Sequence, residues 1–349
     1  MNNPKVTIAI PVYNVAKYVE KSILSALNQD FVQPYEVLVV DDCGTDNSMH
    51  IIERIIKEHP KGNLIRIIKH EQNKGLGPAR NTSIENAKGD YLFFLDSDDW
   101  ISVNCLSLLY TKAIETNSDV TVGSIVRLEE DTSKVLGRNI YPNKTIEKPA
   151  AGVYMVNHAP DMHIEVWNKL FKLNFLKTNH IGCVHRIFED YNFDFIMRAS
   201  ACKITLCSDI TLYYNIRANS ILTNLKSKGS DEAMKTLCDI IKVLQSLLIN
   251  RFGEVEGIYD LYFQRLIWIY ENFGRYSFTE VQLSYIDEQL ATLWNFVPSE
   301  DCLKNPRNTF IYTKMGDSSL CSFQDVQRLA GNRRNKLILN VKKFLNNLS

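Results

Sequence analysis

The first hundred residues repeat one arrangement: a short apolar run, a polar loop, then apolar positions at helical spacing. Val6–Ile10 (VTIAI), Tyr35–Val40 (YEVLVV), Leu64–Lys69 (LIRIIK) and Tyr91–Leu95 (YLFFL) are strand-length and rich in β-formers. Between them Val19, Ile23, Ala26 and Leu27, then Met49, Ile52, Ile55 and Ile56, recur at the period of an α-helix. Such alternation leaves few topologies open, because its crossovers are right-handed and lay helices over a mainly parallel sheet. In open sheets of that kind ligands bind beyond the carboxyl ends of the strands. Here Pro11–Asn14, Asp41–Asp42, Asn73–Arg80 and Asp96–Asp99 follow the four runs, so these loops are expected to share one site.

Residues 120–222 mix strand-like runs (VTVGSIV, ITLCSDITLYYNI) with a polar stretch from Glu129 to Lys148 that reads as an exposed loop or hairpin. Beyond Asn224 the pattern turns helical, in DEAMKTLCDIIKVLQSLLIN, VEGIYDLYFQRLIWIY and EVQLSYIDEQLATLW. The expected division is an α/β domain over 1–222 and a smaller all-α domain over 223–349. Lys plus Arg and Asp plus Glu both number 40, so there is no whole-chain field to draw nucleic acid. Pro11 cuts the first apolar run, no basic leader precedes it, and no window has the length of a membrane span. Eight dispersed cysteines without a C-x-x-C pair fit free thiols in a reducing cytoplasm. His180, Cys183 and His185 lack a fourth ligand for structural zinc and read as a loop.

The densest chemical signal is DSDD, where Asp96, Asp98 and Asp99 follow YLFFL directly. Extended backbone sets Asp96 and Asp98 on one side and Asp99 on the other. Carboxylates that close repel unless a cation or donor lies between them, and an all-oxygen set suits Mg²⁺ or Mn²⁺ shared with phosphates. A polar turn capping a helix near Val103 accounts for the same residues. Two other classes compete. A dehalogenase-type phosphatase uses D-x-D as nucleophile and acid but has Thr or Val where this chain has Trp100. A receiver module would read VLVVDD as its acidic pair, yet that pair follows the first strand of a receiver and the second run here.

Taken in order, the motifs resemble those of the inverting family-2 glycosyltransferases with the GT-A fold. VTIAIPVYNVAKYVEKSILSALNQDF is similar to that family's opening strand and helix, and EVLVVDDCGTDNS to its E-hhh-V-D-D-x-S-x-D segment. NKGLGPARNTSIENAKGDYLFFLDSDD is similar to its N-x-G-x-x-x-A-R-N run through D-x-D-D, and VWNKLFK, FEDYNF and YYNIRANSI to its later motifs. The resemblance spans roughly residues 5–222, and agreement of six motifs in order is far more specific than any one. Cys43-Gly44 and Gly77-Pro78 depart from the usual residues without touching a carboxylate.

The resemblance implies the following roles. Main chain at Pro11 and the ring of Tyr13 hold the nucleotide base, Asp42 accepts its ring N–H, and Asp41 either joins that contact or holds the loop. Arg80 approaches the base or the diphosphate. Asp96 contacts the ribose and the metal side, Asp98 is the principal ligand of Mn²⁺ or Mg²⁺, and Asp99 is a second partner. Asp190 is the general base, with Glu189 beside it; Lys169 and Arg217 are candidates to contact the diphosphate or sugar, and Trp167 packs. The implied activity is transfer of a hexosyl or N-acetylhexosaminyl group from a nucleoside diphosphate sugar, most often a UDP-sugar. The acceptor is a hydroxyl of a glycan or lipid-linked molecule in cell-surface polysaccharide synthesis, at the inner face of the membrane. The terminal RRNKLILNVKKFLNN sets basic residues among Leu337, Leu339 and Val341, a pattern suited to an anionic membrane surface or to a packed, dimer-forming helix.

Overall fold

A computed structural model describes residues 3–130, 132–158, 162–184, 188–217 and 231–273. The chain divides into two units, one of 1–152 with 161–218 and one of 153–160 with 219–349. The placement of 153–160 with the second unit has no counterpart in the sequence pattern.

In the first unit the four apolar runs become β1 (Val6–Val12), β2 (Tyr35–Asp41), β3 (Ile65–Lys69) and β4 (Tyr91–Phe94). The helical stretches become α1 (Val19–Leu27), α2 (Ser48–Glu58) and α3 (Leu76–Asn86). Pairing is parallel throughout, in the order β3-β2-β1-β4. Because β1 lies between β2 and β4, the chain leaves β1 on one side and returns beyond it on the other. That reversal opens a crevice at the carboxyl ends of β1 and β4. Val6, Ile8, Ile10, Val37, Val39 and Phe93 are fully buried beneath Val19, Ile23 and Ile52 of the covering helices. The turn into β4 needs Gly89: a Cβ there would lie 2.6 Å from the Thr7 nitrogen and 2.7 Å from the Tyr91 oxygen.

Beyond β4 come β5 (Trp100–Ile101), α4 (Cys105–Thr116), β6 (Val120–Glu129), β7 (Val135–Asn139), β8 (Lys144–Glu147), α5 (Ala151–His158), β9 (Lys169–Lys172), α6 (Leu173–Thr178), α7 (Asp190–Ser200) and β10 (Lys203–Ile216). The sheet continues β4-β9-β6-β10-β5, with β7 on β6 and β8 on β10. β9 is antiparallel to both β4 and β6, whereas β6 and β10 are parallel, so a second parallel pair is joined to the first through one short reversed strand. In the polar stretch after Glu129, β7 folds back antiparallel on β6 as a hairpin, whereas β8 runs antiparallel to β10.

In the second unit α8 (Asp231–Leu247) runs into a π-helical turn at Leu248–Phe252, and α9 (Ile258–Phe273) follows. Ile240, Ile241, Leu244, Leu248, Ile258 and Leu261 are buried, the stripe expected of amphipathic helices. The expected helix at EVQLSYIDEQLATLW and the basic terminal helix lie outside the described residues, as does His185.

Candidate active site

Side chains tie the loops after β1 and β2 to each other. Asn14, at φ 52°, accepts the Thr45 N–H at 2.7 Å. Asp46 accepts the Ala16 N–H at 2.8 Å and the Ser48 N–H at 3.0 Å, while Ser48 Oγ accepts the Val15 N–H at 2.9 Å. Burial alone would raise the Asp46 pKa; hydrogen bonds from Ser48 and Ala16 outweigh it and hold the carboxyl below its ordinary range. Asn is among the few residues that take a left-handed conformation readily. Cys43 adopts a second one, φ 59°, at the turn where the motif departs from its usual residues. Pro11 is buried in β1, and Tyr13, 47% exposed, presents its ring from the braced turn just beyond.

Asp42 does something other than the sequence led us to expect. It is buried, and its carboxylate lies 2.7 Å from His70 Nδ1. It also accepts the Lys74 N–H at 2.9 Å, the Gly75 N–H at 2.8 Å and Asn73 Nδ2 at 3.0 Å. Asp42 therefore organises the loop between β3 and α3, where Gly75 at φ 96° opens the helix. Asp41 also touches this loop, its carbonyl accepting the His70 N–H at 2.9 Å, but the side-chain contacts to residues 73–75 come from Asp42. Asp41 accepts the Cys43 N–H at 3.0 Å, and its other oxygen lies 4.0 Å from Lys69 Nζ.

Arg80 also differs from its expected place. It projects from the first turns of α3 into the interior, 1% exposed, and reaches three carboxylates instead of an open ligand site. Its guanidinium donates to Asp96 at 2.9 Å, to Asp190 at 2.8 Å and to Glu189. These carboxylates keep Arg80 fully charged, holding its pKa well above the usual value although burial alone would lower it. The acidic cluster after β4 and the acidic pair at the start of α7 thus share one cation. Phe188, at φ 55°, turns the chain into that pair, a strained conformation of the kind found at functional sites.

Asp190 Oδ1 receives Arg80 and also the Val166 N–H at 3.0 Å, while Oδ2 receives no hydrogen bond among the described residues. Burial and then Glu189 push Asp190 well above the ordinary carboxylate range, against the pull of Arg80. Its basicity is thereby raised, which is what proton abstraction near neutrality requires.

Around DSDD the geometry suits a divalent ion. One oxygen from each of Asp96, Asp98 and Asp99 lies within 4.8 Å of the others. Asp99 is 1% exposed; its Oδ1 accepts the Asn215 N–H at 2.8 Å and its Oδ2 is buried without a hydrogen-bond partner. Burial, then Asp98 and Asp96, raise its pKa well above the usual range. An orphaned carboxylate oxygen beside two others is a hard-oxygen donor set that a Mg²⁺ or Mn²⁺ ion would satisfy. Arg217 does reach this cluster, its Nε lying 2.6 Å from Asp98 Oδ2.

Lys169, expected near the leaving group, is instead 1% exposed. Its ammonium donates to the Glu165 carbonyl and lies 2.9 Å from His163 Nδ1. Burial pushes it down to about 7. Its ammonium is enclosed by His163 and the Glu165 carbonyl, with Asp194 and Arg198 of α7 near enough to act on its charge. Trp167 packs, as expected, between His163 at 4.6 Å and Tyr214 at 5.2 Å. Sequence reading missed His163, Glu165 and the Val166 main chain. No spacing marks them, since their contacts are backbone groups, ring stacking and a local pairing of His163 with Glu165 and Lys169.

Residues 7–172 match the profile described as glycosyl transferase family 2. This is a family-2 glycosyltransferase domain. Glycosyltransferase GlyA of Streptococcus pneumoniae is 30% identical over 283 residues, 75% of this chain and 37% of that protein. The poly(ribitol-phosphate) beta-glucosyltransferase of Bacillus spizizenii is 31% identical over 245 residues, 69% of this chain and 37% of that protein. The chain thus spans 37% of the length of each of these relatives. The crystal structure of S. aureus TarS 1-349 in complex with UDP-GlcNAc superposes with a TM-score of 0.70 at 21% identity, covering 94% of this chain and 90% of that one. At that identity the likeness is one of fold, and it identifies the sheet of the transferase domain as GT-A. Neither the phosphatase nor the receiver reading of the acidic motifs finds support: in the transferase domain Asp96 is bound to Arg80 and Asp42 to the loop after β3.

Proposed function

We propose that this domain transfers a sugar, with inversion, from a nucleoside diphosphate donor, UDP favoured, to a hydroxyl of a glycan or lipid-linked acceptor in cell-surface polysaccharide synthesis. The observation that carries the reading is the Arg80 bridge. One buried guanidinium joins Asp96, beside the loops that follow β1 and β2, to Asp190 at the head of α7. A leaving-group site and a base are thereby fixed relative to each other, as an in-line displacement requires.

Tyr13 and the main chain at Pro11 would receive the base of the nucleotide, and Asp96, 21% exposed at its side chain, the ribose. Asp98, with Asp99 as second partner, would hold a Mn²⁺ or Mg²⁺ ion, which supplies Lewis-acid stabilisation of the departing diphosphate. The bond from the anomeric carbon to the diphosphate oxygen breaks as the acceptor oxygen bonds to that carbon on the opposite face. The acceptor proton passes to Asp190 Oδ2, while Arg80 and Val166 hold Oδ1 in place.

The UDP-GlcNAc complex of the TarS neighbour supports the donor class, and the poly(ribitol-phosphate) relative supports a polymeric hydroxyl acceptor. No helix among the described residues is long and apolar enough to cross a membrane. We place the reaction on the cytoplasmic side, at the inner face of the membrane, where nucleotide sugars are made. Thermal-shift and calorimetric screening of nucleoside diphosphates with Mn²⁺ tests the reading. Selective stabilisation by UDP or a UDP-sugar, lost on chelation, is expected. Indifference to every nucleotide would overturn it.

A further inference from the structure

The same carboxylate that would hold the cation is already held by a side chain of the protein. Arg217, at the end of β10, places Nε 2.6 Å from Asp98 Oδ2, and the two side chains are 18% and 19% exposed. This guanidinium has a second seat. It lies over the ring of Tyr18, 5.2 Å from the centroid, and the Tyr18 hydroxyl is bound to Glu130 at 2.5 Å. Lys17 pairs with the same Glu130 oxygen at 2.6 Å. The Glu130 N–H in turn is bound to the Ile216 carbonyl at 3.1 Å, next to Arg217. The Tyr18 seat is thus braced by an ion pair and by the strand that carries the arginine, independently of Asp98.

We propose that Arg217 is an internal latch: it occupies Asp98 in the donor-free enzyme, is displaced when a divalent ion binds there, and is then released, still seated on Tyr18, toward the diphosphate. This rests on the transferase reading above. A guanidinium 2.6 Å from Asp98 Oδ2 and a divalent ion on the same carboxylate are like charges a few ångströms apart, and each disfavours the other. The two cations therefore compete, and the metal's apparent affinity is reduced by the fraction of molecules in which the latch is closed. Once displaced, the guanidinium offers a planar fork suited to phosphate oxygens. The same side chain that opposes the metal alone then favours the metal together with the diphosphate. The device disfavours binding of the ion without its nucleotide.

Mn²⁺ binding measured calorimetrically on the full chain, with and without UDP, tests this in wild type, Arg217→Ala and Arg217→Gln. A partly exposed ion pair contributes up to about 1 kcal/mol, so both variants should bind Mn²⁺ alone about five-fold more tightly than wild type. In saturating Mn²⁺ they should bind UDP more weakly. Gln keeps the side chain out to the position of the Arg217 Nε and removes the charge, so a packing defect confined to Ala is separable from the charge effect. Equal or weaker Mn²⁺ binding by Arg217→Gln, in a protein that still binds UDP with Mn²⁺, would overturn the latch. Wild type that binds neither Mn²⁺ nor UDP would overturn the transferase reading on which it rests.

Discussion

Replacing Arg80 with Met keeps much of the side-chain volume and removes the one cation that three carboxylates share. Arg80 is 1% exposed at its side chain and Glu189 6%, so that pair is screened little by water, whereas Asp96 at 21% and Asp190 at 20% still meet solvent. Breaking a buried pair costs roughly 3–5 kcal/mol, and the partial exposure of two partners places this case near the lower end, about 3 kcal/mol. For a chain of this length, with an unfolding entropy of about 2 cal/mol/K per residue, that is a fall in Tm of roughly 4 °C. The deficit must also depend on pH in a definite sense. Burial already raises Glu189 and Asp190 above the ordinary carboxylate range, and Arg80 opposes the rise. A carboxyl whose folded pKa lies above its unfolded value destabilises the fold as pH rises through that folded pKa and ceases to do so when protonated. Without Arg80 the folded values climb further, so the variant should lose most at neutral pH and recover toward wild type on mild acidification. Thermal unfolding followed by near-ultraviolet circular dichroism at both pH values reads this out. A deficit below about 1 kcal/mol at neutral pH, or one that grows on acidification, would refute the reasoning.

Asp190→Asn should preserve the contacts to Arg80 and Val166, leave UDP binding nearly intact and lower kcat by about 10²–10⁴-fold; full turnover would remove Asp190 as the base. Because the Asp190 pKa is raised well above its ordinary value, kcat/KM should fall with decreasing pH well above the usual carboxylate range of about 4, and a profile flat down to that range contradicts the assignment. Asp98→Ala should abolish the Mn²⁺ dependence of UDP binding in calorimetric titrations, and an unchanged metal requirement would point to other ligands. Asn14→Ala combines a left-handed position with loss of the acceptor for the Thr45 N–H, so unfolding should cost about 1–3 kcal/mol less than in wild type, with Asn14→Gly milder.

The parallel half of the sheet was legible because burial on both faces leaves unbroken apolar runs such as Val37–Val40, and the loops were legible because they carry residues a core would reject. The reversed strand β9 was not: KLFK is four residues long, and nothing in it states a direction. Individual carboxylates and cations were visible as types, but their pairings were not. Arg80 meets Glu189 across 109 positions of chain and Arg217 meets Asp98 from the end of another strand. Asp42 and Lys169 are buried against partners within the protein, which a charge pattern does not reveal.

The shared guanidinium also bears on how such a chain can change over generations. Loss of Arg80 would strand charges at Asp96, Glu189 and Asp190 together, whereas neutralising one of the three leaves the guanidinium paired with the other two. Four positions drawn from three distant stretches of chain therefore form a single unit of inheritance. Within that unit Arg80 is the position expected to be kept for as long as the carboxylates stay charged.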